Sequence, residues 1–378
     1  MATKKKKKKK GKKKILLLVF ELLLLLILLA VAWLYNSTFN RIDYEKQMDD
    51  TEAGINGDID SEKLEILKEG YTTIALFGLD NRSSNNYKSG NSDTIMIANI
   101  DNKTKQVKLV SVYRDTYLNI GDGKLSKANA AYAHGGATQA VQMLNSNLDL
   151  AITDYVCVDW AALVQAIDAL GGIDIEITQA EMNSINKYLH DVDKVTGLTT
   201  SLVTQYGNVH LDGSQATTYA RIRKLAGDDY KRASRQRIVI QAMLTKAKTS
   251  DISTLTKICN VVFDDIKTTL TMSEILYLMK DVASYDIVST TGFPFDLTNA
   301  RLTGTGDTVV PASLASNVTE LHSYMFEDQS YTVSNTVQSI SDTIAANTGI
   351  TENSMLVDTS SFNETAGKNG TEGNTTTN

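Results

Sequence analysis

The sequence is poor in the residues that build zinc sites and disulfide frameworks. It has two cysteines, Cys157 and Cys259, and four histidines scattered over 378 residues. No cluster of them has the spacing of zinc ligands, which excludes a zinc-based domain. Both cysteines lie in apolar segments, so we expect buried free thiols, although the count also allows one disulfide.

Positive charge is scarce outside the first fourteen residues. Ten of the 38 basic residues lie in residues 4–14, which leaves 28 basic against 44 acidic residues in 15–378, a net charge of −16. A body this acidic offers no broad positive face, so the composition argues against nucleic acid as a partner.

A long hydrophobic run follows the lysines. Residues 15–35 contain one charged residue, Glu21, and a helix of that length crosses a bilayer core of roughly 30 Å. Because lysine marks the cytoplasmic flank, we expect a cytoplasmic segment 1–14, a transmembrane anchor 15–35 and an extracellular remainder. The competing interpretation is a cleaved signal peptide, since residues 30–32 (AVA) fit a cleavage site. The length of the run and its aromatic end at Tyr35 favour the uncleaved anchor.

The rest of the chain has a polar start, an α/β pattern and a polar end. Residues 36–70 are rich in charge and typical of a stalk. Compact apolar runs then alternate with segments of helical periodicity, which predicts one α/β domain over residues 71–348. The predicted strands are 73–79, 94–100, 107–112, 154–158 and 173–177, and the predicted helices are 127–148, 160–170, 214–224, 230–248, 252–262 and 273–283. Residues 183–202 look like a polar excursion, and 349–378 should be disordered.

Arginine is rare and clustered. There are nine arginines against 29 lysines, and seven of the nine fall in three short segments; the seven are Arg82, Arg114, Arg221, Arg223, Arg232, Arg235 and Arg237. Because the planar guanidinium suits bidentate binding of phosphate, the clustering indicates a phosphorylated ligand. The alternative is that these arginines pair with acidic residues such as Asp228 and Asp229.

Carboxylates accompany the arginines at the ends of predicted strands. Asp80 follows the first strand, Asp93 opens the second, and Asp115 follows Arg114 after the third. If these strands are neighbours, the three carboxylates converge at one edge of the sheet, where ligands of open α/β sheets bind. Carboxylates beside phosphate-binding arginines suit a Mg²⁺-bridged pyrophosphate, and one of them can take a proton from an attacking hydroxyl. The alternative is that Asp93 and Asp115 only cap turns.

Seven short motifs occur in an order that resembles the LytR-CpsA-Psr family of cell-wall assembly enzymes. They lie within residues 72–245, after an amino-terminal anchor. The motifs are residues 74–82 (IALFGLDNR), 92–96 (SDTIM), 111–116 (SVYRDT), 127–132 (KANAAY), 211–216 (LDGSQA), 219–223 (YARIR) and 232–236 (RASRQ). Each motif is weak alone, and the ordered set is a strong signal.

The resemblance implies a three-layer α-β-α domain with a central mixed sheet and a long apolar pocket for a polyprenyl chain. It implies Mg²⁺ or Mn²⁺ held by Asp80 and Asp93, and catalysis by Asp80, Asp93 and Arg114, with Asp80 preferred for activating the acceptor. The implied phosphate ligands are Arg82, Arg114, Lys127, Arg221, Arg223, Arg232 and Gln236. The implied reaction transfers a glycopolymer, such as teichoic acid or capsule, from polyprenyl pyrophosphate to peptidoglycan at the outer face of a Gram-positive cell membrane.

Two positions depart from the family pattern. Asn91 stands where the family usually has arginine, so one phosphate ligand is missing. Tyr113 stands where the family usually has proline, a change that we interpret as structural because proline there only fixes the backbone.

Several alternatives stay open at this point. A hydrolase that uses water as acceptor needs the same pocket, and a surface receptor for anionic polymer or lipid needs only the arginines. Carboxylates among phosphate ligands favour catalysis over simple binding, because they repel the charge that arginine attracts. The apolar positions Leu163, Ile167 and Leu170 fit either a lipid pocket or the core. His134 fits a turn or helix end better than a general base.

Overall fold

The computed structural model describes residues 43–79, 90–223, 225, 228–262 and 266–359. Within these ranges no helix is both long and apolar enough to cross a lipid bilayer. The predicted cytoplasmic segment 1–14 and the anchor 15–35 lie outside them, as do Asp80, Arg82 and the last nineteen residues, 360–378.

A seven-stranded mixed sheet forms the centre of the fold. The strands of the described chain are β1 (Asp43–Tyr44), β2 (Tyr71–Leu79), β3 (Ser92–Asp101), β4 (Gln106–Val112), β5 (Tyr117–Asn119), β6 (Leu125–Lys127), β7 (Asp154–Val158), β8 (Ile173–Ile177), β9 (Gly207–Leu211), β10 (Ile266–Thr268), β11 (Asp286–Phe293), β12 (Leu297–Leu302) and β13 (Gly306–Pro311). The central order is β1-β10-β7-β2-β3-β4-β11, and the remaining strands pair as β5–β6, β8–β9 and β12–β13. The pairs β1–β10, β7–β2 and β4–β11 are parallel and the other central pairs antiparallel. This confirms the predicted mixed sheet.

The three strands predicted to carry the acidic residues are neighbours. β2 and β3 run antiparallel with Gly78 opposite Thr94, and β3 and β4 run antiparallel with Met96 opposite Ser111. The end of β2, the start of β3 and the end of β4 therefore meet at one edge of the sheet. This edge carries the functional site.

Helices cover both faces of the sheet. They are α1 (Ser61–Glu65), α2 (Ala130–Leu148), α3 (Trp160–Ala169), α4 (Gln179–Thr196), α5 (Gly213–Ala220), α6 (Asp228–Lys248), α7 (Ile252–Val262), α8 (Met272–Lys280), α9 (Leu314–Phe326) and α10 (Asn335–Thr348). On one face Phe77 and Ile97 pack in a core with α2, α9 and α10. On the other, Met96 and Leu109 pack against Ile240 of α6. Two apolar faces covered by helices give the predicted three layers.

Side-chain caps fix the helices that border the site. Asp159 accepts a hydrogen bond from the backbone of Ala162 at the start of α3. Asp212 forms a reciprocal capping box with Gln215 at the start of α5. Such caps satisfy the free amides of a first helical turn.

Three sequence predictions are wrong in their bounds or element type. The stalk does not extend to residue 70, because β1 joins the sheet and Met48, Ala53 and Leu67 are buried in the core. The predicted excursion 183–202 is mostly the helix α4. The first part of the predicted tail is ordered, since Val357 donates its backbone amide to Leu297.

The predictions for cysteine and histidine are confirmed where the structure describes them. Cys157 is a buried free thiol, whereas the side chain of Cys259 lies outside the described part of the chain. Gly135 and Gly136 interrupt α2 with non-helical backbone angles. His134 is exposed beside this kink and contacts the Ala130 carbonyl at 2.8 Å.

Candidate functional site

A cluster of alternating charges lies at the edge where β2 and β4 end and β3 begins. Arg114, directly after β4, donates from Nη1 to Asp93 Oδ1 at 2.9 Å and from Nε to Asp229 Oδ2 at 3.0 Å. Burial alone would lower the pKa of Arg114, but the charges of Asp229 and Asp93 outweigh it and raise that pKa. Arg114 is therefore permanently charged and held from two sides.

Asp93 joins two segments of the cluster that are far apart in sequence. Its second carboxylate oxygen pairs with Arg223, and its backbone carbonyl accepts a hydrogen bond from Arg232 Nη2 at 3.3 Å. Arg223 comes from the connection between α5 and α6, and Arg232 from the first turns of α6. A single residue of β3 thus contacts three of the predicted phosphate ligands.

Asp229 is a second anionic centre of the cluster. Besides Arg114, it has Arg232 Nη1 3.1 Å from its Oδ1, an ion pair without hydrogen-bond angles. Burial would raise the pKa of Asp229, but Arg232 and Arg114 lower it below its ordinary value. Asp115 contacts Asp229 and pairs with Lys127 at 3.0 Å, which brings Lys127 to the rim of the cluster.

Arg232 is a buried cation with free hydrogen-bonding capacity. It is 4% exposed, and burial lowers its pKa to about 10. Among the described residues no acceptor forms a hydrogen bond with its Nε or Nη1. Buried donors of this kind are costly unless a ligand or water satisfies them. The arrangement suits a bound anion.

A deep cleft opens beside the charged cluster. It has a volume of about 540 Å³ and lies between strands β2, β3 and β7 of the sheet and helices α3 to α6. Its walls are mostly apolar and include Leu76, Met96, Val158, Leu163 and Val239. A side chain at Gly78 would enter this space against Thr94, with its Cβ 2.8 Å from the threonine side chain.

The three apolar positions whose role the sequence left open fall into two groups. Leu163 lines the cleft, whereas Ile167 and Leu170 are buried. Core packing is therefore the role of the latter two, and only Leu163 belongs to the cavity wall.

Charged side chains lie where the apolar walls end. Asp93, Arg221, Arg223, Arg232 and Gln236 all line the cleft. The guanidinium carbon of Arg221 lies 3.1 Å from the centre of the Trp160 ring, a stacked cation–π contact. A ligand with an anionic head and an apolar tail matches this division.

A second, much smaller cavity also borders Asp93. It has a volume of about 20 Å³. Asp93, Thr94, Arg232 and Gln236 line both cavities, while Ser111, Arg114, Asp115, Asp229 and Tyr230 line only the smaller one. The cleft extends from β3 towards β7, and the small cavity extends from β3 towards β4.

Two neighbouring arginines have other roles. Arg235 is buried, pairs with Glu181 at 2.7 Å and donates to the Ile222 carbonyl, between Arg221 and Arg223. Arg237 is 2% exposed on another side of α6, near Tyr113. Arg237 therefore lies apart from the charged cluster.

The position of Tyr113 supports its structural interpretation. The ring is 3% exposed and packs edge-on against Tyr230 with 4.7 Å between centroids. Its hydroxyl fills the space that a side chain at Gly292 would need. Asn91, the other departure from the family pattern, is exposed.

The side chains of the site supply only some of the ligands that a divalent cation needs. No group of three histidine, cysteine or acidic side chains in the described ranges is placed to hold a metal ion. Asp93 contributes one carboxylate at the rim, and both of its oxygens contact arginines. Mg²⁺ in phosphate sites often uses one or two carboxylates plus phosphate oxygens, so Asp93 is suited to share such an ion with a bound phosphate.

The structure brings together most of the predicted site residues. Asp93, Arg114, Arg223 and Arg232 are in direct contact, Arg221 and Gln236 line the same cleft, and Lys127 joins through Asp115. Asp80 and Arg82 lie outside the described residues. Sequence reasoning missed Trp160, and it treated Asp229 only as a counter-ion; its position three residues before Arg232 was the available signal.

Comparison with known proteins gives a consistent family. The LytR_cpsA_psr family model matches residues 35–322. The polyisoprenyl-teichoic acid–peptidoglycan teichoic acid transferase TagU of Enterococcus faecalis is 32% identical over 245 residues, which are 64% of this chain and 75% of that protein.

Two solved structures share the fold. TagT bound to LI-WTA matches with a TM-score of 0.53 and 20% identity over 78% of this chain and 98% of that one. A protein of Streptococcus agalactiae matches with a TM-score of 0.58 and 24% identity over 72% of this chain and 94% of that one.

Proposed function

The chain belongs to the LytR-CpsA-Psr family, and from this premise we propose that it transfers a glycopolymer from a polyprenyl-pyrophosphate carrier to peptidoglycan. The family match covers more than half of the chain. The related enzyme of Enterococcus faecalis is a teichoic acid transferase, so teichoic acid is the first glycopolymer to test, with capsule as the next. The proposed enzyme is a phosphotransferase of cell-wall assembly.

The observation that carries the proposal is the buried Arg232 at the junction of an apolar cleft and a cationic rim. Its unsatisfied donors call for an anion, and the cleft beside it suits an isoprenoid chain. Arg114, Arg223, Arg232 and Lys127 outnumber the three contacting carboxylates by one positive charge. A pyrophosphate replaces carboxylate partners of the arginines with its own oxygens.

The chain's own residues bind and orient the donor. Arg221, Arg223 and Arg232 hold the pyrophosphate where the charge grows during transfer. The apolar walls keep the polyprenyl chain out of water and fix the direction in which polyprenyl phosphate leaves. Enzymes catalyse phosphoryl transfer mostly by positioning the reactants and stabilising charge. The arginines and the apolar walls together do both, so no covalent enzyme intermediate is needed.

A divalent cation is part of the proposal. Asp93, with Asp80 as the expected second carboxylate, would hold Mg²⁺ or Mn²⁺ against the phosphates. When bound, such an ion neutralises phosphate charge. We expect turnover to fall on chelation and to return with Mg²⁺, and we expect Asp93→Asn to remove this response.

The proposed location is the outer face of the cell membrane. Residues 1–14 would be cytoplasmic, 15–35 the single-pass anchor, and the catalytic domain extracellular, because the lysine run marks the inner flank. In right-side-out vesicles, external protease should degrade the domain and leave an epitope placed at residue 1 intact. Loss of that epitope would contradict the orientation.

The decisive experiment uses the full chain in detergent micelles with Mg²⁺ and a synthetic polyprenyl-pyrophosphate-linked disaccharide. We expect release of polyprenyl phosphate and transfer of the phosphodisaccharide to peptidoglycan oligosaccharides. Equal release without acceptor and no transfer with it would identify a phosphatase instead. Tight binding of the donor without any turnover would identify a receptor and overturn the enzymatic proposal.

A further inference from the structure

The small cavity beside Asp93 has the size of one oxygen atom. A volume of about 20 Å³ holds one water-sized group, since roughly 10–15 Å³ is enough for a water molecule. The cavity is bounded by the end of β4 on one side and the first turns of α6 on the other.

Four lining residues have polar atoms without a hydrogen-bond partner in the described protein, namely Ser111, Tyr113, Asp229 and Arg232. The Tyr113 hydroxyl lies against Gly292 and Arg232 Nη1 lies against Asp229, which leaves Ser111 Oγ, Arg232 Nε and Asp229 Oδ1 for a bound group. Ser111 is 2% exposed and Arg232 is 4% exposed. Their side chains line the same cavity, and buried polar groups are otherwise almost always satisfied.

The chemistry of these atoms selects the group that fits. Arg232 Nε can only donate, Asp229 Oδ1 as a carboxylate can only accept, and Ser111 Oγ can do either. A phosphate oxyanion would be repelled by Asp229. A hydroxyl oxygen donates its proton to Asp229 while it accepts from Arg232, so water or the end of an alcohol satisfies all three.

The cavity and the cleft meet at Asp93 and extend from it towards different strands. Both touch Asp93, Thr94, Arg232 and Gln236, but the cleft lies towards β7 and the cavity towards β4. In phosphoryl transfer the attacking and leaving oxygens stand roughly in line across the phosphorus. A polyprenyl phosphate that leaves into the cleft therefore requires its nucleophile on the side of the small cavity.

We propose that the small cavity binds the attacking hydroxyl oxygen, with Ser111 orienting it and Asp229 accepting its proton. This inference rests on the proposed transfer function and deepens it. The attacking oxygen forms a bond to the sugar-linked phosphorus, and the bond from that phosphorus to the bridging oxygen breaks. The electron pair leaves with polyprenyl phosphate, and the hydroxyl proton passes to Asp229 and then to solvent.

The same pocket serves two sources of hydroxyl. A sugar hydroxyl of peptidoglycan gives transfer, and water gives hydrolysis. Assays with and without peptidoglycan oligosaccharide separate the two, and in both assays the same lining residues act.

Ser111 gives the cleanest test, because in the described part of the chain its hydroxyl forms no hydrogen bond with a phosphate-binding arginine. We expect Ser111→Ala to lower kcat about tenfold with unchanged donor KM, since it removes one hydrogen bond to the reacting oxygen. Ser111→Val fills the cavity and should lower kcat further and raise the KM for the acceptor. Asp229→Asn should lower kcat about a hundredfold or more while the donor still binds.

Ser92→Ala is the matched control. Ser92 is a fully buried serine of the same sheet edge whose Oγ also has no partner among the described residues, and it lines neither cavity. Its kcat should equal that of the unmodified protein. If Ser111→Ala behaves like Ser92→Ala, the inference is wrong while the transfer function stands. If the unmodified protein releases no polyprenyl phosphate, the proposed function itself has failed.

A crystal structure of the resting full chain provides a second test that does not depend on turnover. An ordered oxygen within hydrogen-bond distance of both Ser111 Oγ and Asp229 Oδ1 supports the site. Side chains that close the cavity, or Ser111 turned to a protein partner, would overturn it.

Discussion

Arg114 Nη1 donates to Asp93 Oδ1 over 2.9 Å, and this contact joins the end of β4 to the start of β3 at the rim of the cleft. Both side chains are about one-fifth exposed, so a ligand can reach them. We expect Arg114→Ala to lower kcat/KM by about 10²–10³, the usual loss when one preorganised donor to a reacting oxyanion is removed. Turnover of the lipid-linked disaccharide measures it.

Two further variants show whether the loss of activity comes from the guanidinium group of Arg114. Arg114→Lys keeps the charge but loses the planar fork, so it should restore only a small part of the rate. Arg301→Ala removes an arginine whose ion pair is more than four-fifths exposed, and it should leave turnover unchanged. A melting temperature far below that of the unmodified protein for Arg114→Ala would assign the loss to folding instead of catalysis.

The cleft makes a separate prediction about the length of the lipid. Leu163 lines its wall from α3, so Leu163→Trp should occupy part of the space reserved for the isoprenoid chain. We expect the KM of a long-chain donor to rise about tenfold, whereas a donor with one or two isoprene units keeps its KM. An equal change for both donors would place the lipid elsewhere.

The stack of Arg221 on Trp160 gives a third prediction. Trp160 is 8% exposed at the start of α3, and its ring holds the guanidinium flat against the wall of the cleft. A contact of this kind is worth about 0.5–2 kcal/mol. Trp160→Leu should therefore raise the donor KM about two- to thirtyfold. The donor KM of Trp160→Phe should lie between the values of Trp160→Leu and the unmodified protein. Identical KM values for the two substitutions would show that the stack does not position Arg221.

The central part of the fold was predictable because its signals are local. The strands 73–79, 94–100 and 107–112 are compact apolar runs, and strands that follow one another in the chain are usually neighbours in the sheet. That order brought Asp93 and Asp115 to one edge, as predicted. The capping pattern of Asp212 with Gln215 was equally local.

The remaining features depend on contacts between distant segments. The residues 43–70 look like a stalk because most of them are polar, yet Met48, Ala53 and Leu67 are buried against the core. The helix α4 has few apolar residues, although the Thr178–Glu181 capping box marked its start. The Trp160–Arg221 stack joins residues 61 positions apart. The periodic patterns that predict helices and strands carry no information about a contact between such distant residues.

The stability of the domain should depend on pH through His322. This residue is 1% exposed, stacks on Tyr331 with 3.5 Å between ring centroids and contacts the Leu148 carbonyl at 3.0 Å. Burial lowers its pKa to about 4, against about 6.5 in the unfolded chain. Below pH 6.5 the ring of His322 is therefore protonated in the unfolded chain but stays neutral in the folded protein. The free energy of unfolding is unaffected by this group above pH 6.5 and falls as the pH drops from 6.5 towards 4.

A difference of this size corresponds to about 3 kcal/mol once the pH reaches the folded pKa. Other groups also titrate in this range, so the contribution of His322 is isolated by comparison with His322→Asn in urea unfolding at pH 7.5, 6.0 and 5.0. The variant loses ring packing and is less stable at pH 7.5, but its free energy should decline less steeply towards pH 5. Parallel pH curves for the two proteins would mean that His322 is protonated in the folded state, because only a neutral buried ring produces the steeper decline.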